Sequence, residues 1–89
     1  MIRERVVYTG TVQGVGFRWT VMRMAATYRV AGFVRNLDDG RVELVVEGQR
    51  GEVDAFRGAV ESRMGDYIEG LEGEELQATG EFSGFDIVH

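Results

Sequence analysis

The chain contains no cysteine, no lysine and no proline, and its one histidine is the last residue, His89. Without cysteine there are no disulfides, no thiolate nucleophiles and no cysteine metal sites, although that absence does not identify the compartment. A lone terminal histidine leaves a histidine-based triad or metal cluster without parts, and solvation is its expected state. No apolar run is long enough to span a membrane, and no signal-peptide stretch follows Met1-Ile2-Arg3-Glu4-Arg5. A cytoplasmic location with no membrane partner is therefore the default expectation. A basic cluster is missing too. The ten arginines are spread along a chain of net charge −5, which argues against a domain that grips nucleic-acid backbone.

What remains is an ordinary globular balance, 44% apolar and 28% charged. At 89 residues the chain suits a single domain over 1–89 with one core and a modest stability margin. Ile2 to Val12 alternates as a strand, with Val6, Tyr8 and Val12 on one side and Arg5, Thr9 and Thr11 on the other. After the turn Gln13–Gly16, the apolar positions Phe17, Val21, Met24, Ala25 and Tyr28 mark one face of a helix, with Gly32 as its stop. Phe33–Leu37 and Arg41–Glu47 read as a hairpin around Asp38-Asp39-Gly40, whose Asp-Gly step tolerates a positive φ. In its second strand Val42, Leu44 and Val46 face inward, and Glu43 and Glu47 outward.

A second helix spans Gly51 to Met64, with Val53, Phe56, Val60 and Met64 as its buried stripe. Gly58 inside it costs about 1 kcal/mol relative to alanine, so either something packs closely there or the helix is weak. From Gly65 to Gly80 the pattern blurs, with a short strand expected around Glu75–Thr79. Phe82–Val88 closes as a last strand, with Phe85 and Ile87 inward. The order β-α-β-β-α-β(-β) predicts an α+β, ferredoxin-like sandwich with two helices on one face of a mostly antiparallel sheet.

The chemistry-bearing stretch is Gly10-Thr11-Val12-Gln13-Gly14-Val15-Gly16-Phe17-Arg18. A strand feeding a glycine turn into a helix aims backbone N–H groups and the helix dipole at one spot, and phosphate suits that spot. The spacing fits neither the dinucleotide fingerprint nor the nucleotide-hydrolase phosphate loop. Arg18, a cation in a first helical turn, opposes the dipole unless an anion sits between them. Its planar fork matches phosphate oxygens. On the bare pattern, a solvent-facing arginine beside an ordinary turn is an equal alternative. Asn36 is the second candidate, since an amide both donates to and accepts from a water, although spacing alone favours a polar residue near a turn. Asp38 and Asp39 are explained by their turn, and Trp19 and Met22 by half-buried packing off the helix stripe.

The run Gly10–Arg18 resembles the acylphosphatase signature G-x-V-Q-G-V-x-F-R at every fixed position. Gly32-Phe33-Val34-Arg35-Asn36-Leu37-Asp38-Asp39-Gly40-Arg41-Val42 is similar to that family's second motif, G-[WF]-V-[RK]-N-x-x-D-G-x-V. The ending Phe82-Ser83-Gly84-Phe85-Asp86-Ile87 is similar to its closing strand. The resemblance implies a ferredoxin-like hydrolase that converts acyl phosphates to carboxylate and inorganic phosphate without metal or cofactor. Gln13, Gly14, Val15, Gly16, Phe17 and Arg18 would then bind the substrate, with Arg18 and the loop amides on the phosphoryl oxygens. Asn36 would orient the attacking water, and the substrate phosphate would take its proton. The partners implied are a small acyl phosphate and inorganic phosphate as product or inhibitor; a monomer is the default expectation, though nothing in the residues marks the oligomeric state.

The departure lies between Gly65 and Gly80, where family members often have proline and a clearer fourth strand. Two other classes compete. One is an anion-holding module of the kind found fused to larger maturation enzymes. The other is an RNA-binding ferredoxin-like domain, which would need exposed sheet aromatics and a basic surface.

Overall fold

The computed structural model describes residues 1–89. In chain order the elements are β1 (Ile2–Gly10), α1 (Phe17–Ala25), β2 (Val30–Asn36), β3 (Val42–Gly48), α2 (Arg50–Arg63), β4 (Ile68–Leu76) and β5 (Phe85–Val88). A single 3-10 turn, Gly65–Tyr67, joins α2 to β4. The strands form one sheet in the order β4-β1-β3-β2-β5. All neighbours run antiparallel except β2 and β5, which are parallel.

Alternation in the strands and the stripes on the helices meet in one core. Val6 and Tyr8 of β1, Val34 of β2, and Val42, Leu44 and Val46 of β3 pack against Phe17, Val21 and Ala25 of α1. Val53, Phe56 and Val60 of α2, followed by Met64, complete it. This is the ferredoxin-like arrangement, two helices on one face of an open mixed sheet. The buried Tyr8 hydroxyl donates to Glu61 Oε2 at 2.8 Å, and Arg57 Nε donates to the same oxygen at 3.1 Å. Burial, then the Glu61 charge, holds the phenol pKa well above its ordinary value, so Tyr8 stays a donor.

The opposite face of the sheet is not the solvated surface that alternation suggests. Glu43 and Glu47 point away from the core, yet each is 4% exposed. Arg5 Nε and Arg35 Nε both donate to Glu43 at 2.5 Å. Glu47 accepts from Arg3 Nε at 2.7 Å and from the backbone N–H groups of Thr79 and Gly80 at 2.9 and 3.0 Å. Burial alone would raise both carboxyl pKa values, but these donors outweigh it and hold them below the ordinary range. Phe82 packs edge-on to Phe33 at 5.9 Å, with the Arg3 guanidinium 4.7 Å from its ring.

Several boundaries differ from the sequence expectation. β1 ends at Gly10 rather than Val12, and β5 begins at Phe85 rather than Phe82. Gly32 is not a helix stop. α1 ends at Ala25, where the N–H groups of Ala26, Thr27 and Tyr28 turn back onto Arg23, Met24 and Ala25, and Gly32 sits inside β2. In place of a strand around Glu75–Thr79 there is the longer β4, Ile68–Leu76. It is an edge strand held by backbone pairing to β1 from Arg3↔Leu76 to Gly10↔Ile68, not by buried side chains. No helix is long and apolar enough to cross a membrane.

Gly58 has no packing reason to be glycine, since a Cβ there would meet nothing within 4 Å. Gly58→Ala should therefore stabilise the protein by about 0.5–1 kcal/mol through the unfolded chain's lost freedom. Thermal denaturation followed by circular dichroism checks this, and a lowered midpoint would contradict it.

Candidate active site

Between β1 and α1 the chain takes two left-handed steps, Gly14 at φ +79° and Gly16 at φ +77°. Residues with a Cβ rarely adopt this geometry, so the glycines are what let the loop curl. Gly16 is the N-cap of α1, which has neither a side-chain cap nor an acidic residue in its first turn. The N–H groups of residues 14–19 donate to no carbonyl within the chain. An uncapped helix end with consecutive free amides is a centre of positive potential. The one charged side chain in that turn, Arg18, adds to it.

Gln13 opens the loop with a tether. Its side-chain Nε2 donates to Leu37 O at 2.8 Å and to Arg41 O at 3.0 Å. This fastens the loop to the turn after β2, whose last residue is Asn36, paired with Val42. Gln13 thus supplies a backbone position to the loop while its side-chain amide is spent on structure. Loop and Asn36 come together at the same end of the sheet. Asp39 closes that same turn after β2, accepting from Arg41 N at 3.1 Å and Arg41 Nε at 2.8 Å. Those contacts, the backbone N–H first, lower its pKa.

Two residues depart from or add to their sequence expectation. His89 is exposed, as expected, and its Nδ1 also lies 3.3 Å from Arg18 Nη1. It arrives there because β5 runs parallel to β2 and so ends where β2 ends. Parallel pairing is the signal that was missing, since alternation marks a strand but not its neighbour. Trp19 is 55% exposed rather than half-buried, with the Arg23 guanidinium 4.7 Å from its ring centroid. Gly14, Gly16, Phe17, Arg18, Trp19, Ile87 and His89 line a cavity of about 170 Å³. No three His, Cys, Asp or Glu side chains come close enough together to hold a metal ion. The arrangement gathers backbone N–H donors and positive charge at one spot, chemistry that suits a tetrahedral anion.

A family model described as Acylphosphatase matches residues 4–87. An acylphosphatase of Methylococcus capsulatus is 42% identical over 93 residues, covering 99% of this chain and 97% of that protein. The crystal structure of acylphosphatase from Bacillus subtilis is similar at a TM-score of 0.89 and 33% identity, covering 100% of both chains. A crystal structure of T. kodakarensis HypF is similar at a TM-score of 0.84 and 31% identity, covering 100% of this chain and 12% of that one.

Proposed function

Because this chain belongs to the acylphosphatase family, we propose that Arg18 and the amides of the Gln13–Arg18 loop cradle the phosphoryl group of an acyl phosphate while Asn36 positions the attacking water. The protein is an enzyme, an acylphosphatase that hydrolyses acyl phosphates. Residues 1–89 act as one such domain. The observation that carries the assignment of roles is the uncapped N-terminus of α1, whose amides donate to no carbonyl of the chain and whose first turn holds a cation.

In the reaction the water oxygen bonds to phosphorus as the P–O bond to the acyl group breaks. The carboxylate departs with the bonding electrons, and both water protons remain on the phosphate product. Carboxylate is a good leaving group, so positioning and charge stabilisation suffice, and the phosphoryl oxygens serve as proton acceptor. Neither a resident metal nor a cofactor takes part. The substrate is a small molecule, inorganic phosphate is both product and inhibitor, and the chain works as a monomer.

The test is hydrolysis of benzoyl phosphate by the purified protein in EDTA. Full activity under chelation is expected, and a chelator-sensitive rate would contradict the metal-free mechanism. Asn36→Ala should lower kcat by about 10²-fold, the scale of a misplaced reacting group, while the inhibition constant for phosphate stays near the wild-type value. An inhibition constant that rises as much as kcat falls would make Asn36 a binding residue instead. The likeness to a segment of a full-length HypF solved in a phosphate- and nucleotide-bound form, 12% of that chain, supports a second reading, an anion-holding module. A folded protein that binds phosphate without turning over benzoyl phosphate would favour it.

A further inference from the structure

We infer that a second cavity beside the phosphate loop holds the acyl end of the substrate and selects acyl phosphates that carry a second anionic group. This rests on the acyl phosphate reading above. The cavity, about 410 Å³, lies on the helix side and is lined by Trp19, Thr20, Arg23, Met24, Thr27 and Arg63. Trp19 also borders the loop cavity, so the two cavities share this residue.

The charge pattern points to the ligand. Acidic residues outnumber basic ones 15 to 10 in this chain. Arg3, Arg5, Arg35, Arg41, Arg50 and Arg57 each have a carboxylate partner. Of the four arginines without one, Arg18 lines the loop cavity, and Arg23 and Arg63 line its neighbour. Both of the latter stand in the last turn of a helix, where the dipole favours a cation, and they leave this cavity with positive charge and no carboxylate in its lining. The Arg23 guanidinium carbon lies over the Trp19 ring, 4.7 Å from its centroid, a cation–π contact that restrains the side chain without using up its N–H donors. Met24 and the indole provide apolar surface for the carbon skeleton that links the two anionic ends. Thr27 Oγ1 already donates to Met24 O at 2.9 Å, so the polar recognition falls to the arginines.

The experiment compares kcat/KM for 4-carboxybenzoyl phosphate and benzoyl phosphate, using the full chain. The ratio of the two cancels the loop chemistry, and comparing ratios across variants cancels the electronic effect of the added carboxylate. Arg23→Gln and Arg63→Gln should each lower the ratio by about 3–10-fold, the scale of one charge-assisted contact at a partly solvated site. The fall should appear in KM for the carboxylated substrate, and 0.5 M salt should narrow the wild-type ratio, taking about 0.5 M as well beyond physiological screening. Arg50→Gln, remote from both cavities and paired with Glu75, should keep the wild-type ratio. Arg63→Lys, which retains charge without the fork, should recover part of it. An unchanged ratio in both glutamine variants overturns the inference. An equal loss on both substrates overturns it too, since the arginines would then act on the phosphoryl end. A wild type inactive on both substrates instead overturns the acyl phosphate reading, and the inference falls with it.

Discussion

Arg18→Ala is expected to lower kcat/KM for benzoyl phosphate by about 10²–10³, a loss of about 2.7–4 kcal/mol of transition-state stabilisation, as for other preorganised donors. Arg18 lines the same cavity as Gly14, Gly16 and Phe17, so under the proposed roles its removal would leave the loop amides alone on the phosphoryl oxygens, with less charge. Inhibition by inorganic phosphate should weaken in the same variant. Phosphate affinity at the wild-type level would sink the assigned role. A folding defect is easily told apart from loss of chemistry here. Arg18 has no carboxylate partner, and its cation sits at the positive end of α1. Taking it away removes a repulsion of about 0.3–1 kcal/mol, so thermal stability should hold or rise while activity falls. Arg18→Lys should lie between the two, keeping the charge but losing the two-pronged contact.

How much of this was legible beforehand depends on which force shapes each segment. Where apolar burial decides, the residues announce themselves: Val6 and Tyr8, Val42, Leu44 and Val46, and the stripes of both helices all stand in the core at the expected places. β4 is shaped by backbone hydrogen bonding instead. Its residues from Leu71 to Leu76 are exposed, so neither burial nor alternation marks it. Glu43 and Glu47 show a third case. Their direction follows from the pleat, but their burial depends on Arg3, Arg5, Arg35 and residues 79–80, which only the three-dimensional pairing brings to them.

The candidate site divides in the same way. The Gly14 and Gly16 turn and the Arg18 position follow from local backbone chemistry and stand in the sequence. Two further features were hidden by distance along the chain. Gln13 grips carbonyls 24 and 28 residues away, and His89 meets Arg18 across 71 residues. Each depends on strand order, which is fixed by the whole sheet.

Gly32 makes the same point with the largest expected cost in stability. A Cβ on Gly32 would lie 1.9 Å from Val45 O and 2.9 Å from Val45 C, on a backbone at φ +150°. Gly32 stands opposite Val46, with Phe33 opposite Val45, so the obstacle is the paired strand and no side chain can swing aside. Alanine there forces β2 away from β3, and it also strains the Gly32 N–H bond to Gly84 O at 2.9 Å that leads into β5. Crowding and backbone strain together should cost about 2–6 kcal/mol. A chain of this size has roughly 4–13 kcal/mol to lose. The thermal midpoint of Gly32→Ala should therefore fall by about 10 °C or more, read alongside a urea titration. A midpoint unchanged from wild type would mean that the two strands part without loss, and that the close approach is not needed. Because β2 ends in Asn36 and β5 leads to His89, activity should fall together with stability in this variant. In Arg18→Ala the two should separate, and that contrast distinguishes a residue that builds the site from one that acts in it.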